Sequence, residues 1–170
     1  MNYTEFFQEV NIPFLGIELI KEFLPRATWD CGEGDFMTLA ENFDVDSIRR
    51  VDEFVNRACA QFSATPLIYR FPADTWYEWH VDAYNNCSLN MVLDDYDAKT
   101  IFKLGRLGDG SGSLYKTLEL QYKPNTWYAF NSQKPHAIIN GSQIRYLLTI
   151  GVLPPFTYDD LLAFCSAYQV

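Results

Sequence analysis

The sequence is poor in the residues that build thiolate metal sites. It contains only two histidines, and no two of its four cysteines form a Cys-x-x-Cys pair or stand at a short spacing from a histidine. A structural zinc site of the usual kind is therefore not expected. Widely spaced cysteines without a secretory signal predict reduced, partly buried thiols. The four are Cys31, Cys59, Cys87 and Cys165.

Long apolar runs are also missing. No segment reaches the roughly 20 consecutive apolar residues that a membrane-spanning helix needs, so no membrane partner is expected. The first residues, Met1 to Glu5, lack the basic region and the apolar stretch of a signal peptide. The expected location is therefore cytoplasmic.

Basic residues are in the minority. Lysine and arginine together number 13 against 22 acidic residues, which gives a net charge of −9, and no basic run is present. This balance argues against nucleic acid as a partner. The 170 residues, 48% of them hydrophobic and 16% aromatic, predict a single domain with a well-filled core. The oligomeric state cannot be read from the sequence.

The N-terminal part, residues 1–65, has mainly helical signals. Residues 4–24 predict a short helix or strand followed by a helix, interrupted by Pro13 and Gly16. From Asp46-Ser47 to about Phe62, apolar residues recur at helical spacing after plausible capping residues. We expect this segment to form one helix on the outside of a sheet. Its apolar positions are Ile48, Val51, Phe54, Val55, Ala58 and Cys59.

Residues 66–153 are rich in short β-type runs that are separated by turns, and residues 158–168 then predict a C-terminal helix within residues 154–170. Eight strands at this spacing favour two packed antiparallel sheets, a jelly roll or double-stranded β-helix of the cupin-like kind. The fold class is therefore mainly β with flanking helices. The predicted strands are 67–71, 76–81, 87–93, 100–104, 114–122, 126–130, 136–139 and 144–152.

The run Tyr77-Glu-Trp-His-Val-Asp82 contains a candidate metal site. Side chains alternate along a strand, so His80 and Asp82 should point to the same face. His136, in a late strand, could join them at one end of a jelly roll. Two imidazoles and one carboxylate are the ligand set of non-haem Fe(II) oxygenases. A His-x-Asp sequence also arises by chance, and strand histidines are often only hydrogen-bonded core residues, so the motif needs its context.

Arg145 supplies that context. It comes nine residues after His136, beyond a predicted hairpin at Asn140-Gly141, in an otherwise apolar strand. An arginine that points inward would require an anionic partner, and a guanidinium is well suited to a ligand carboxylate. Thr149 should share its face and could add a hydroxyl. The alternatives are a solvated arginine or an ion pair within the protein.

The pattern of His80-x-Asp82, His136 and Arg145 resembles the 2-oxoglutarate- and Fe(II)-dependent dioxygenase superfamily. The runs Tyr77–Asp82 and Arg145-Tyr-Leu-Leu-Thr149 are most similar to its prolyl-hydroxylase-like members. The resemblance covers about residues 66–153.

The resemblance implies that His80, Asp82 and His136 bind Fe(II), and that 2-oxoglutarate and dioxygen take the open positions. It also implies that Arg145, assisted by Thr149, pairs with the far carboxylate of 2-oxoglutarate. Further candidates for contact with this cosubstrate are Asn90, Tyr69 and Tyr77, although ordinary aromatic packing is the alternative role for the tyrosines.

One position departs from the family pattern. Many relatives carry Gly-Gly before the strand that corresponds to Thr100–Phe102, whereas this chain has Asp97-Ala98. The departure concerns the turn and the shape of the substrate mouth, and does not concern the iron ligands.

The implied function is hydroxylation of an unactivated C–H bond, in a prolyl or other peptidyl side chain or in a small molecule. The alternatives are a cupin-like metal-binding or isomerase domain without 2-oxoglutarate chemistry, and an inactive relative that serves as an interaction module. Loops at 30–36, 83–86 and 105–113 are expected to shape the mouth of the site, because binding residues concentrate on loops.

Overall fold

A computed structural model describes residues 3–30, 37–94, 99–106 and 115–168. Several predicted features lie outside these ranges. They are Cys31, the Asp97-Ala98 turn, and almost all of the loops at 30–36 and 105–113.

The described residues form two antiparallel sheets and four α-helices. The strands are β1 (Phe7–Val10), β2 (Trp29–Asp30), β3 (Thr38–Ala40), β4 (Pro66–Phe71), β5 (Trp76–His80), β6 (Cys87–Val92), β7 (Lys99–Arg106), β8 (Tyr115–Gln121), β9 (Trp127–Phe130), β10 (His136–Ile139) and β11 (Arg145–Val152). The helices are α1 (Ile17–Phe23), α2 (Val45–Val51), α3 (Glu53–Phe62) and α4 (Tyr158–Tyr168), and a 3₁₀ turn (Leu24–Arg26) follows α1.

The predicted jelly roll is confirmed. All eight predicted strands are present, as β4 to β11, and they divide equally between the two sheets. The larger sheet has the order β1-β9-β6-β11-β4-β3-β2, and the smaller sheet has the order β5-β10-β7-β8. From β4 to β11 the chain passes back and forth between two antiparallel sheets, except that β7 and β8 are neighbours in the smaller sheet; this is the double-stranded β-helix arrangement. The predicted C-terminal helix is α4.

The N-terminal part contributes strands as well as helices. β1 pairs with β9 at one edge of the larger sheet, and β3 pairs with β4 towards the other, with β2 outside it. For residues 4–24, where a short helix or strand followed by a helix was predicted, the structure has the strand β1 followed by the helix α1. β2 and β3 have two and three residues, too few for a period-two pattern to be recognised in the sequence.

The single helix predicted from residue 46 to 62 is corrected, because the chain breaks at Asp52 into α2 and α3. The Asp52 backbone is extended, with φ −121° and ψ 104°. Its carboxylate accepts hydrogen bonds from the N–H of Val55 at 2.9 Å and of Leu15 at 2.8 Å. Asp52 therefore starts α3 as its N-cap and also holds the segment before α1.

The predicted hairpin at Asn140-Gly141 is also corrected. β10 belongs to the smaller sheet and β11 to the larger, so these residues connect the two sheets. The buried amide of Asn140 donates to the carbonyl oxygens of Phe71, Pro72 and Gln143. These bonds satisfy the backbone where the chain crosses between sheets.

Two apolar layers flank the larger sheet. One lies between this sheet and the helices and includes Leu148 and Ile150 from β11. The other lies between the two sheets and includes Leu147. Alternation along β11 therefore places Arg145, Leu147 and Thr149 in the space between the sheets.

The three cysteines within the described residues, Cys59, Cys87 and Cys165, are buried free thiols in the helix-side layer. Burial raises the pKa of Cys59 to about 11 and the pKa of Cys87 and Cys165 to about 12, because the thiolate is the charged form. This agrees with the prediction of reduced, buried thiols. Among the described helices, none has the length and apolarity to cross a membrane.

Candidate metal centre

Three potential ligands meet at one end of the smaller sheet. His80 is the last residue of β5, and His136, the first residue of β10, lies directly opposite it. Asp82 follows two residues beyond the end of β5, rather than within a strand as the sequence predicted. One ligand atom from each of the three lies within 4.8 Å of the others.

The hydrogen bonds of the two imidazoles leave the same nitrogen available in each. His80 Nδ1 is 2.7 Å from the carbonyl oxygen of Glu78, and His136 Nδ1 is 2.9 Å from that of Lys134. A carbonyl oxygen accepts only from a protonated Nδ1, so in the neutral form of each imidazole the lone pair lies on Nε2. The Nε2 atoms lie 3.6 and 3.8 Å from Asp82 Oδ1.

Burial shifts the pKa of two of the three residues, His136 and Asp82. Burial lowers the pKa of His136 to about 4, with a further lowering by His80, so its imidazole is neutral at physiological pH. Burial also raises the pKa of Asp82, and this effect is partly offset by His80 and by the nearby Ser132 hydroxyl and Asn85 amide. Two imidazole nitrogens and one carboxylate oxygen, converging with their lone pairs available, fit a divalent iron site.

An irregularity in β5 brings Tyr77 to the same face as His80. His136 pairs with His80, but Ile138 pairs with Tyr77, so β5 has one more residue than β10 across this interval. Such a β-bulge shifts the alternation of side chains. The Tyr77 ring consequently lies 4.1 Å from the His80 ring, centroid to centroid.

Arg145 is buried at the inner end of the same space, with 1% of its surface exposed. Its guanidinium carbon lies 4.8 Å from the centroid of the Tyr122 ring and 5.3 Å from that of Phe71. Aromatic faces stabilise a cation without using its in-plane N–H groups. The inward orientation is thus the one the structure shows, and the solvated alternative is excluded.

Thr149 and Asn90 form a buried polar pair beside Arg145. They are directly opposite on β11 and β6, and the Thr149 hydroxyl donates to Asn90 Oδ1 at 2.6 Å. With its oxygen occupied, Asn90 presents its amide N–H groups as donors. Arg145 and Asn90 thus place a guanidinium and an amide, two types of group that bind carboxylates in proteins, on neighbouring strands.

A cavity of about 450 Å³ connects the His80-Asp82-His136 cluster with Arg145. All eight residues that were proposed from the sequence as site residues line this cavity. This size is ordinary for a small-molecule site. Tyr69 lies in its wall, and burial, followed by the charge of Asp82, raises the pKa of its phenol. The phenol is therefore a hydrogen-bond donor at neutral pH. The eight are Tyr69, Tyr77, His80, Asp82, Asn90, His136, Arg145 and Thr149.

The mouth of the cavity includes the loop after Asp82. Ala83, Tyr84 and Asn85 line the cavity, as expected for the loop at 83–86, whereas Asn86 does not. Tyr84 is 83% exposed. Sequence reasoning missed the individual roles of Ser132, Phe71 and Tyr122, for which no spacing signal exists.

Comparison with known proteins gives structural matches and no sequence match. No protein-family model matches the sequence, and no curated protein matches it. Solved structures do resemble the fold. A prolyl hydroxylase from Trichoplax adhaerens, in complex with a hypoxia inducible factor oxygen degradation domain peptide fragment, has a TM-score of 0.59 at 10% identity. The alignment covers 94% of this chain and 88% of that one.

Two bacterial structures also resemble the fold of this chain. An oxidoreductase of the 2OG-Fe(II) oxygenase family from Burkholderia pseudomallei has a TM-score of 0.54 at 10% identity, with 79% of this chain and 76% of that one covered. HygX from Streptomyces hygroscopicus, with nickel, 2-oxoglutarate and hygromycin B bound, has a TM-score of 0.53 at 9% identity, with 89% and 84% covered. The chain therefore has the double-stranded β-helix fold that these oxygenases and prolyl hydroxylases share.

Proposed function

We propose that this protein is a 2-oxoglutarate- and Fe(II)-dependent dioxygenase that hydroxylates an unactivated C–H bond. The observation that carries the proposal is one cavity that holds both a His80-Asp82-His136 cluster and a buried Arg145. A metal-binding cupin-like domain without 2-oxoglutarate would need the first group and would gain nothing from the second.

The metal would be held by Nε2 of His80, Nε2 of His136 and a carboxylate oxygen of Asp82. The carbonyl groups of Glu78 and Lys134 fix the tautomer of each imidazole, which orients its lone pair towards the common centre. Three protein ligands leave coordination positions open for the cosubstrate and dioxygen.

The far carboxylate of 2-oxoglutarate would pair with Arg145, with Thr149 and Asn90 as further hydrogen-bonding groups. Tyr69 and Tyr77 are the other proposed contacts. Tyr69 has a protonated phenol in the cavity wall, and the Tyr77 ring packs beside His80. Both could orient the end of the cosubstrate that lies near the metal.

Bound iron and 2-oxoglutarate would supply the oxidising chemistry, in which dioxygen is reduced and the cosubstrate loses carbon dioxide to give succinate. The chain binds and orients these groups and excludes water from the inner end of the cavity. The space around Arg145 is enclosed by Phe71, Tyr122 and Leu147.

The substrate that we propose first is a peptidyl side chain, and a small molecule is the alternative. The prolyl hydroxylase from Trichoplax adhaerens holds a peptide fragment, which supports the former, and HygX holds hygromycin B, which supports the latter. Exposed Tyr84 and Val81 at the mouth offer apolar contacts to either. Succinate formation that is stimulated by proline-containing peptides and not by small metabolites would establish the peptidyl class.

The cofactor assignment is tested by anaerobic titration of the purified protein with Fe(II) and 2-oxoglutarate. We expect the weak visible charge-transfer band of an iron–oxoacid chelate in the unaltered protein. In Arg145→Ala the band should require at least tenfold more 2-oxoglutarate, because a charge-assisted carboxylate pair is lost. In His136→Ala the band should be absent.

Thr157→Ala, at the start of α4 and outside the proposed site, is the matched control and should leave the titration unchanged. If metal analysis shows bound iron but no band forms at any 2-oxoglutarate concentration, the dioxygenase proposal is wrong. The protein would then be a metal-binding domain of the cupin-like kind.

A further inference from the structure

Asp82 differs from the other two candidate ligands in its support. His80 and His136 are fixed by strand pairing, whereas Asp82 lies in the loop that follows β5. A carboxylate in a loop needs other contacts to hold it in place, because ordering a flexible side chain costs conformational entropy. The backbone of the loop is held, since the N–H of Asp82 donates to the carbonyl oxygen of Ser132 at 3.1 Å.

Two polar side chains, the hydroxyl of Ser132 and the amide of Asn85, lie near the Asp82 carboxylate and lower its pKa. The Ser132 hydroxyl has a single proton, which it donates to the carbonyl oxygen of Asn85 at 2.8 Å. Of these two groups, the amide of Asn85 is therefore the one that still has a proton to offer the carboxylate.

Asn85 is in turn held against β11. The next residue, Asn86, donates its N–H to the carbonyl oxygen of Val152 at 2.9 Å, which brings the loop alongside the strand end. A Cβ atom at Gly151 would lie 2.7 Å from Asn85 Oδ1 and 3.1 Å from its Cγ. Glycine at 151 therefore leaves the space that the Asn85 amide occupies.

We propose that Asn85 and Gly151 are a positioning pair for the Asp82 carboxylate and thereby set the affinity of the site for a divalent metal. The inference rests on the proposed function for the identity of the site. Gly151 leaves room for the Asn85 amide, and the amide orients a carboxylate that no strand supports. Outer partners of this kind typically change metal affinity by about 10- to 100-fold when they are removed.

The test is binding of Mn(II) alone, followed by loss of the free-ion electron paramagnetic resonance signal. Three variants are compared with the unaltered protein: Asn85→Ala, Gly151→Ala and the double variant. Each single substitution should weaken Mn(II) binding by about tenfold or more. Gly151→Ala should retain the fold, because the clash is with the end of a side chain that can move into the open mouth.

The double variant tests whether Gly151 affects Mn(II) binding through Asn85 or by disturbing the fold in general. Once residue 85 is alanine, the atoms that Gly151→Ala would strike are gone, so the second substitution should have almost no further effect on affinity. Gly16→Ala is the control, since a Cβ there would lie 2.7 Å from the Phe14 ring in the helical layer. It should lower the melting temperature without changing Mn(II) affinity.

Unchanged Mn(II) affinity in Asn85→Ala would overturn the inference while leaving the proposed function intact. The inference would also be overturned if Gly151→Ala lowered Mn(II) affinity equally in the unaltered protein and in Asn85→Ala, because Gly151 would then act without Asn85. Failure of the unaltered protein to bind Mn(II) would remove the metal centre itself, an outcome distinct from either of these.

Discussion

At the scale of single residues, the environment of Arg145 shows how the fold accommodates a buried charge. The guanidinium lies over the rings of Tyr122 and Phe71, both of which are themselves buried. Ring faces partly offset the cost of desolvating the cation. The planar N–H groups keep the geometry that a carboxylate requires.

We predict that Tyr122→Leu weakens 2-oxoglutarate binding several-fold while Fe(II) binding persists. The loss corresponds to a cation–π contribution of about 0.5 to 2 kcal/mol. The measurement is the 2-oxoglutarate dependence of the charge-transfer band under anaerobic conditions. Tyr122→Phe keeps the ring and should bind 2-oxoglutarate like the unaltered protein, and an equal loss in both variants would assign the effect to the hydroxyl instead.

The residues of the metal cluster could be predicted because they rest on simple spacings. The His80-x-Asp82 spacing brought the two ligands together in the prediction although Asp82 lies in the loop after β5, and Arg145 and Thr149 share a face by alternation on β11. Tyr122 and Phe71 could not be predicted as partners of Arg145, because aromatic residues are abundant in this chain and no sequence spacing relates β4, β11 and the residue after β8. Asn85 was placed in a mouth loop but not next to Asp82, since that contact depends on the packing of the loop against Gly151.

At the scale of elements, an irregularity in one strand decides which side chains face the candidate site. The extra residue in β5 turns Tyr77 towards His80, and period-two reasoning alone would place them on opposite faces. The break at Asp52 was hidden for a related reason. Ile48 and Val55, seven residues apart, keep helical spacing through the break, so the apolar pattern continues although the backbone does not.

We predict that Asp52→Ala lowers the free energy of unfolding by about 2 to 4 kcal/mol. The change removes the N-cap of α3 and leaves the N–H of Leu15 without its acceptor. Urea denaturation measures the loss. Mn(II) affinity should not change, because α3 lies on the far side of the larger sheet from the cavity.

Asp44→Ala is the matched control, since Asp44 caps α2 in the same way but is exposed. Its loss of stability should be clearly smaller, because water can replace the cap. Equal losses in the two variants would show that the contact between Asp52 and Leu15 contributes nothing beyond capping.

At the scale of the whole molecule, the jelly roll could be predicted from eight short strands, but their distribution between sheets could not. A turn such as Asn140-Gly141 has the composition of a hairpin. It crosses between sheets because β10 pairs with β5 and β7, and β11 with β4 and β6. The paired strands are distant in sequence, so the composition of a turn does not indicate which strands pair.

The helix-side layer joins the larger sheet and the helices into one unit, and the buried thiols can report its opening. With pKa values of about 11 for Cys59 and about 12 for Cys87 and Cys165, very little reactive thiolate exists near pH 8. In a Cys31→Ser background, we predict slow labelling of the native protein by a disulfide reagent, and immediate labelling of three thiols after denaturation. The logarithm of the labelling rate should rise with urea at a slope that matches the equilibrium m value, because the three thiols share a layer that opens only on global unfolding. A markedly smaller slope for Cys165 would instead show that α4 detaches by itself.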